Sequence, residues 1–397
     1  MINHIGDGTA RLPTGKDFRE ASVSETMVRH QGEATAEGTR NFRAKAIHGG
    51  RLPAEHFRRA PGDLSLTSLG IGTYLGRPDL ATDLQVEAAV RLGITSGRVN
   101  VVDTAINYRN QRAERAVGRA VHALIESERV KRSEVFVATK VGYLAPDGES
   151  GVPASEWVRR ELIEPGVLDP MDVVEGSHAM SPSYLRDQVD RSRANLGLET
   201  LDLVYLHNAP DAQLASLGPE RFLERLRLAF SCLEELRSSG TLQSYGLATW
   251  ASLLAPPDDP GFFPLESAVR MAEELAGPAH GFRFVQFPVN IALPEAVTFA
   301  NQPVHGVRVP ALEAAARLNL GVFSSVPLMQ GELARSGPHY GSLSRAASAI
   351  QWARSAPGNI APLLGLKTPE HLSEGLAVAA LPPWPESEFR SHVARAG

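Results

Sequence analysis

The feature that most constrains the fold is an alternation that begins at Leu64 and continues almost to the end of the chain. Short apolar, β-branched segments recur, and each is followed by a longer segment with helical periodicity. Buried strands that alternate with amphipathic helices are typical of a parallel sheet covered by helices. We predict strands at 66–73, 100–103, 135–140, 202–207, 242–248, 284–287, 320–324 and 362–366. We predict helices at 83–92, 111–127, 182–195, 220–238, 265–276, 310–318, 343–354 and 369–379.

About eight such units predict a closed (β/α)8 TIM barrel of the α/β class rather than an open doubly wound sheet. The first segment, 66–73, leaves one alternative open, a hairpin that closes the barrel floor. We predict a single barrel domain at 64–380, with a polar, partly ordered N-terminal extension at 1–63 and a C-terminal tail at 381–397. A long Gly/Pro-rich loop at 144–181 follows the third strand. Loops at that end of barrel strands surround active sites.

Composition excludes several classes of protein. The 397 residues carry 40 Lys and Arg against 45 Asp and Glu, a formal net charge of −5, which argues against nucleic acid or an anionic membrane as a partner. No apolar run approaches the roughly 20 residues that span a bilayer, and the N-terminus lacks the apolar region of a signal peptide, so we predict a cytoplasmic protein. The single cysteine, Cys232, cannot form an internal disulfide and is predicted to be a packed side chain. No histidines show metal-ligand spacing along the chain, so we predict no metal.

Ionisable side chains stand where predicted strands end, which is where a barrel carries its catalytic groups. Asp103 ends the second strand in VVDTAINYR and Tyr108 follows it, Lys140 ends VFVATK, and His207 ends LVYLHN. Packing does not require charged groups at the ends of apolar strands. Three structural alternatives stay open: an Asp103–Lys140 ion pair in the core, a packed Tyr108 and a core His207.

These four side chains have a coherent joint chemistry. A tyrosine hydroxyl with a pKa of about 10 is a poor proton donor at neutral pH. A nearby lysine ammonium is expected to lower that pKa, and a carboxylate keeps the lysine charged and oriented. A histidine can hydrogen-bond a substrate carbonyl. Such a set polarises a carbonyl group while a hydride arrives, or removes the alcohol proton in the reverse direction.

Several motifs occur in order along the chain: SLGIGTYLG, DTAINY, ATK, YLHN, VQFPVN, VPLMQGEL and LLGLKTPEHLSEGL. With these motifs the chain resembles the aldo-keto reductase family. Its long N-terminal segment, its enlarged loop after the third strand and the EGSHAMSPSYLRDQ stretch resemble a bacterial branch of that family. The resemblance implies reduction of a small-molecule aldehyde or ketone, or oxidation of the alcohol. It gives Tyr108 the role of proton donor, tuned by Lys140 with Asp103, while His207 orients the carbonyl.

The resemblance also implies NADPH as cofactor, with NADH possible, bound without a Rossmann unit. The glycines of the first strand do not make the dinucleotide fingerprint, because no third glycine opens a helix after them. Lys367, beside a helix N-terminus, favours a 2′-phosphate and hence NADP. The residues that match the cofactor-binding positions of the family are Gly72, Thr73, Tyr74, Asp103, Thr249, Gln286, Ser324, Ser325, Leu328, Gln330, Lys367, Thr368, His371 and Glu374.

The chain departs from the family at several cofactor positions. Ala248 and Thr249 stand where a Ser-Asn pair is usual, and Gly375 replaces an asparagine near the adenine. Two other functions stay open: Schiff-base chemistry at Lys140, as in barrel aldolases, and a non-catalytic nucleotide-binding sensor. His178, in the long loop, is expected at the surface rather than in contact with substrate.

Overall fold

The structure is a computed structural model that describes residues 29–48, 50 and 52–396. The first part of the predicted extension, 1–28, lies outside the described residues. In chain order the strands are β1 (Phe57–Ala60), β2 (Leu64–Thr67), β3 (Gly70–Gly72), β4 (Val101–Asp103), β5 (Phe136–Val141), β6 (Leu201–His207), β7 (Leu242–Ala248), β8 (Phe282–Pro288), β9 (Gln302–Val304), β10 (Val307–Val309), β11 (Gly321–Ser325) and β12 (Asn359–Leu364).

The α-helices are α1 (Ala36–His48), α2 (Leu80–Thr95), α3 (Arg112–Glu126), α4 (Ala154–Val158), α5 (Pro182–Leu196), α6 (Ala209–Leu217), α7 (Pro219–Ser238), α8 (Leu265–Ala276), α9 (Glu295–Thr298), α10 (Ala311–Arg317), α11 (Glu332–Ser336), α12 (Arg345–Ser355), α13 (Pro369–Ala377) and α14 (Glu386–Ala396). Within the described residues, no helix is long and apolar enough to cross a membrane.

Eight parallel strands close into a barrel in the order β3-β4-β5-β6-β7-β8-β11-β12. The predicted (β/α)8 fold is therefore confirmed. The register aligns the carboxyl ends of neighbouring strands. Asp103, the last residue of β4, pairs with Gly72 of β3 on one side and with Ala138 of β5 on the other. His207 pairs with Ala248 in the same way. The predicted catalytic side chains thus start from one end of the barrel, where parallel strands deliver their carboxyl ends.

The predicted strand at 66–73 is two elements. Strands β1 and β2 form an antiparallel hairpin, and β3 follows as the first strand of the barrel. The chain bends between β2 and β3, where the Thr67 hydroxyl donates to the carbonyl of Leu69 over 2.8 Å and Asn100 accepts from the Thr67 amide over 2.9 Å. Leu64 and Leu66 of the hairpin pack against Phe136 and other side chains inside the barrel. A hairpin that closes the barrel floor is the alternative interpretation of 66–73, and it is correct for residues 66 and 67, which lie in β2.

Two other boundaries differ from the prediction. Strand β12 begins at Asn359, three residues before the predicted start at Pro362. Pro362 lacks an N–H group, yet it takes a place in the parallel ladder opposite Ser324. Helix α2 is longer than the predicted 83–92, because the Asp79 side chain accepts from the Thr82 amide over 2.8 Å and caps a start at Leu80.

The described part of the predicted extension packs on the barrel. Helix α1 buries Phe42 in the main core, and the amide of Ala34 donates to Asp202 over 2.6 Å. The hairpin β1–β2 spans the predicted domain boundary at 63/64. At the other end, the predicted tail contains α14, whose Phe389 is fully buried with its ring 5.0 Å from that of Trp352.

The predicted loop at 144–181 contains structure of its own. Helix α4 continues into a π-helical turn at Arg159–Ile163. Trp157 and Leu162 form a small core with Tyr184 of helix α5. This segment returns to the end of β5 through a bridge between Tyr143 and His178.

The Cys232 thiol is buried in helix α7, 3.6 Å from the carbonyl oxygen of Pro182, as a packed side chain.

Candidate active site

A cleft of about 970 Å³ opens at the carboxyl ends of the barrel strands. Asp103, Tyr108 and His207 line it, and they come from the ends of two strands and the loop after β4. Lys140 lies beneath the lining and is fully buried. The structure thus brings the four predicted catalytic side chains together in one place.

Lys140 and Asp103 form a buried ion pair below Tyr108. The Lys140 ammonium donates to Oδ1 of Asp103 and, over 2.9 Å, to the carbonyl of Thr104. Oδ2 of Asp103 accepts from the amide of Gln286 over 2.9 Å. Burial alone would lower the pKa of Lys140, but Asp103 and Tyr108 together outweigh burial, and the pKa lies above its usual value. Lys140 therefore carries a positive charge at neutral pH.

The Tyr108 ring lies between the ion pair and the cleft. The Lys140 nitrogen is 4.8 Å from the ring centroid, and the rings of Tyr74 and His207 pack edge-on at 5.0 and 5.6 Å. Burial raises the pKa of Tyr108, while the Lys140 ammonium acts in the opposite direction. Lys140 thus lowers the pKa of Tyr108, as expected, but burial raises this pKa by more. At neutral pH the phenol keeps its proton, the state that a proton donor needs.

The backbone after Tyr108 turns sharply. Arg109, Asn110 and Gln111 have φ values of 50°, 56° and 71°, a left-handed run that costs about 1 kcal/mol or more per residue. Two side-chain contacts hold this turn. The Arg109 guanidinium pairs with Asp83 of helix α2, and the Gln111 amide donates to the carbonyl of Ala145 over 2.8 Å. The long loop and helix α2 together therefore fix where Tyr108 points.

His207 lies beside Tyr108 as a neutral imidazole. Burial lowers its pKa well below the usual value, and the Lys140 charge adds to that effect. Its Nδ1 is 3.2 Å from the amide oxygen Oδ1 of Asn107. In this orientation Nδ1 carries the proton and donates to Oδ1, which leaves Nε2 as an acceptor. Reversing the Asn107 amide, so that its NH2 group faces Nδ1, moves the proton to Nε2 and lets the ring donate to a carbonyl oxygen.

His178 supports His207 from below. It is fully buried, which corrects the expectation of a surface residue. Its Nε2 donates to the carbonyl oxygen of His207 over 2.8 Å, and its Nδ1 accepts from Gln213 over 2.7 Å. Gly142 is required here, because a Cβ on this residue would lie 2.5 Å from the His178 ring nitrogen. Burial lowers the pKa of His178 to about 4, so the ring is neutral at physiological pH.

Sequence reasoning missed Tyr143, which lines the cleft. Its ring packs edge-on against both His178 and His207, at 5.0 and 5.1 Å. The exposed Trp250 also lines the cleft, and its backbone amide donates to Asp211 over 3.1 Å. Trp384 instead packs on Tyr340, with ring centroids 5.1 Å apart. Aromatic side chains thus surround the opening beside Tyr108.

Most of the residues predicted to bind the cofactor line the same cleft. They are Gly72, Thr73, Tyr74, Asp103, Thr249, Gln286, Ser325, Leu328, Gln330, Lys367, His371 and Glu374. Ser324 and Thr368 are not among the lining residues. The Ser324 hydroxyl accepts from Asn359 over 2.8 Å in the barrel wall, and the Thr368 hydroxyl caps helix α13 by accepting from the His371 amide over 3.3 Å.

The polar groups of the cleft fit a dinucleotide. The buried Ser325 hydroxyl has no hydrogen-bond partner among the described residues, and Gln286 and Thr249 lie at the base. Lys367 stands before the N-terminus of helix α13, where backbone N–H groups favour an anion. Burial, with the nearby Arg109, lowers the pKa of Lys367. Arg345 is a second cation in the lining, which sequence reasoning missed because it lies within a predicted helix.

The sequence of residues 68–253 matches the model of the Aldo/keto reductase family. Asp103, Tyr108, Lys140 and His207 all fall within the matched range. Residues 68–253 therefore belong to the aldo-keto reductase family. Strands β3 to β7 of the barrel lie in this aldo-keto reductase segment, so the match covers the ion pair, the tyrosine and the histidine. Among curated proteins, no sequence matches the chain.

Solved structures resemble the whole barrel. An aldo-keto reductase from Klebsiella pneumoniae in complex with NADPH is 18% identical, with a TM-score of 0.56 over 85% of this chain and 94% of that one. The holo form of an aldo-keto reductase from Bacillus halodurans is 17% identical, with a TM-score of 0.57 over 86% and 96%. A glycerol dehydrogenase from Gluconobacter oxydans is 18% identical, with a TM-score of 0.55 over 87% and 95%. At these identities the likeness shows a shared fold.

Proposed function

We propose that this protein is an NAD(P)H-dependent oxidoreductase that reduces an aldehyde or ketone, or oxidises the corresponding alcohol. The observation that carries the proposal is the protonated Tyr108 at the wall of the cleft, with the charged Lys140 4.8 Å from its ring. The family match over residues 68–253 supports the same reaction class. The aromatic surroundings of Tyr108 suit a small-molecule carbonyl substrate.

The chain's own residues manage the proton and the orientation. With the Asn107 amide reversed so that Nε2 carries the proton, His207 donates a hydrogen bond to the carbonyl oxygen and holds it beside Tyr108. Tyr108 gives its phenolic proton to that oxygen as negative charge develops there. The Lys140 ammonium, held by Asp103, stabilises the phenolate that remains. A nicotinamide cofactor held by the lining residues, Gln286 and Thr249 among them, would supply the hydride chemistry of the reaction.

We propose NADPH as the cofactor, with NADH as the alternative. Among the described residues, Lys367 and Arg345 are the lysine and the arginine that line the cleft, and they suit the extra phosphate of NADPH better than the free hydroxyl of NADH. Gln286 would contact the carboxamide, where Thr249 is the remaining polar group of the usual pair. The Klebsiella pneumoniae neighbour in complex with NADPH supports this choice.

The structure gives no support to Schiff-base chemistry at Lys140. A lysine that attacks a carbonyl must be uncharged and in contact with the substrate. Lys140 is fully buried, its ammonium is bound to Asp103, and its pKa is raised.

No observation favours a non-catalytic sensor. The net charge of −5 supports a role without nucleic acid, and we propose that the protein works in the cytoplasm, where a diffusible nucleotide is regenerated.

The test is the oxidation of NADPH and of NADH by the purified protein over a panel of aliphatic and aromatic aldehydes and ketones. We expect turnover with at least one carbonyl and a higher kcat/KM with NADPH. Cofactor binding without turnover over the whole panel would favour the sensor instead. Borohydride trapping that labels Lys140 in the presence of a carbonyl would favour the Schiff-base reaction.

A further inference from the structure

Two histidines and a glutamate meet on the outside of the barrel. Nε2 of His30 and Nδ1 of His122 share a hydrogen bond of 2.8 Å, which a bound ion would replace, and a carboxylate oxygen of Glu126 is 4.0 Å from the same nitrogen of His30. These three ligand atoms all lie within 4.8 Å of one another. Within the described residues, this is the one group of three or more such side chains close enough to share an ion.

The group lies far from the cleft. Helix α3 begins at Arg112, just after Tyr108, and His122 comes ten residues later, about 15 Å along the helix axis. Glu126 is one turn further, in the last turn of the helix. An ion bound here cannot touch a carbonyl substrate in the cleft, so its effect would be on the structure.

Backbone hydrogen bonds and helix α3 fix the main chain at these three residues. The His30 amide donates to the carbonyl of Gly197 over 2.8 Å, and the His30 carbonyl accepts from the Glu199 amide over 2.9 Å. These two bonds make a parallel bridge beside Leu198. His122 and Glu126 are four residues apart on one helix and therefore face the same side. Preorganised ligands lose little conformational entropy when an ion binds.

Two imidazoles and one carboxylate are a typical donor set for zinc. Zn–N bonds of about 2.0–2.1 Å in a tetrahedral site place two ring nitrogens roughly 3.3 Å apart, so the His30–His122 pair needs to open only slightly. The Glu126 side chain is 63% exposed and free to turn toward the pair. The neighbouring guanidinium of Arg132 is neutralised by Asp202, 2.9 Å away.

We propose that His30, His122 and Glu126 bind one Zn²⁺ ion, with water in the fourth position. The ion links the segment before helix α1 to helix α3 and holds that segment on the barrel. The expectation of no metal depended on spacing along the chain. His30 and His122 are 92 residues apart, and only the fold brings them together.

The experiment is calorimetric titration of the metal-free protein with ZnCl2, followed by thermal unfolding with and without the ion. For the wild type we expect one Zn²⁺ per chain and a higher unfolding midpoint. His122→Gln and His30→Gln should each weaken binding at least tenfold and remove the midpoint shift. Glu126→Gln, at an exposed position that the fold does not depend on, should weaken binding by a smaller factor.

The matched control is His339→Gln, which removes an exposed histidine outside the group. It should bind zinc as the wild type does. Co²⁺ gives a second readout, because coordination by ring nitrogens produces visible absorption bands that His122→Gln should abolish. No zinc binding by the wild type would overturn the proposal. Equal affinity in the wild type, His122→Gln and Glu126→Gln would also overturn it and identify scattered surface histidines as the binding sites.

Discussion

The ammonium nitrogen of Lys140 lies 4.8 Å from the centroid of the Tyr108 ring, in a part of the barrel where neither the ammonium nor Asp103 meets water freely. Asp103 and the carbonyl of Thr104 take two of its three N–H groups. The positive charge therefore stays beside the phenol whether or not substrate is present. Loss of the Tyr108 proton leaves a phenolate next to a fixed cation, which is the arrangement that favours proton donation.

Replacing Lys140 by methionine tests the importance of that charge. Lys140→Met should lower kcat at least about 100-fold, because the phenolate loses its cation. It should also lower the free energy of unfolding by about 3–5 kcal/mol, because Asp103 is left buried without its partner. Steady-state kinetics and urea denaturation measure the two effects. In the double variant Asp103→Asn, Lys140→Met, stability should recover while turnover stays low, and recovery of turnover would contradict the account.

Lys367 is expected to distinguish the two cofactors. Lys367→Ala should raise the Kd for NADPH about tenfold and the Kd for NADH much less, because only NADPH carries the extra phosphate. Fluorescence titration of each nucleotide measures both constants. Lys131→Ala, at an exposed position outside the cleft, should leave both unchanged. An equal loss of affinity for the two nucleotides would show that Lys367 does not contact that phosphate.

The buried histidine below the site should make stability depend on pH. The pKa of His178 is about 4 in the folded chain and about 6.5 when unfolded. Since the unfolded chain takes up this proton first, the contribution to stability is full above pH 6.5 and is lost as the pH falls toward 4. At pH 5 the loss is about 2 kcal/mol from this group. His56, with a pKa of about 3, acts in the same direction.

His178→Gln separates the two histidines. The amide of glutamine can still donate to the His207 carbonyl, but it does not titrate. Urea denaturation between pH 7.5 and 5 should therefore show a smaller loss of stability in His178→Gln than in the wild type, by about 2 kcal/mol at pH 5. Equal pH dependence in the two proteins would mean that His178 takes up its proton in the folded state as readily as in the unfolded one.

The sequence was enough to predict the barrel and the group around Tyr108, and the reason is local. Each barrel strand is an apolar run followed by a helix, and Asp103, Lys140 and His207 stand at strand ends, where a parallel barrel gathers its side chains. The prediction of the first strand was partly wrong, because the bend between β2 and β3 involves a hydrogen bond from the Thr67 amide to Asn100, which is 33 residues away in sequence.

Contacts between distant parts of the chain explain what the sequence did not predict. His178 is buried because Gly142 leaves room for its ring and Gln213 bonds to it, and neither residue is a neighbour in sequence. Arg345 lines the cleft from helix α12, and the apolar pattern of that helix did not predict that its first residue would line the cleft. Ser324 is turned into the barrel wall, where it bonds to Asn359 on the adjacent strand, and periodicity along the chain does not show which serine of the pair faces the cleft.

The most direct test of the central claim is the Tyr108→Phe variant, which removes one hydroxyl and keeps the ring against Tyr74 and His207. NADPH binding should stay within about twofold of the wild type, while single-turnover reduction of the best carbonyl substrate falls at least about 1,000-fold, because proton donation by a positioned acid contributes 10²–10⁴-fold. Bound NADPH with no turnover is the predicted result. Reduction at a rate near that of the wild type would contradict the assignment of Tyr108 as the proton donor.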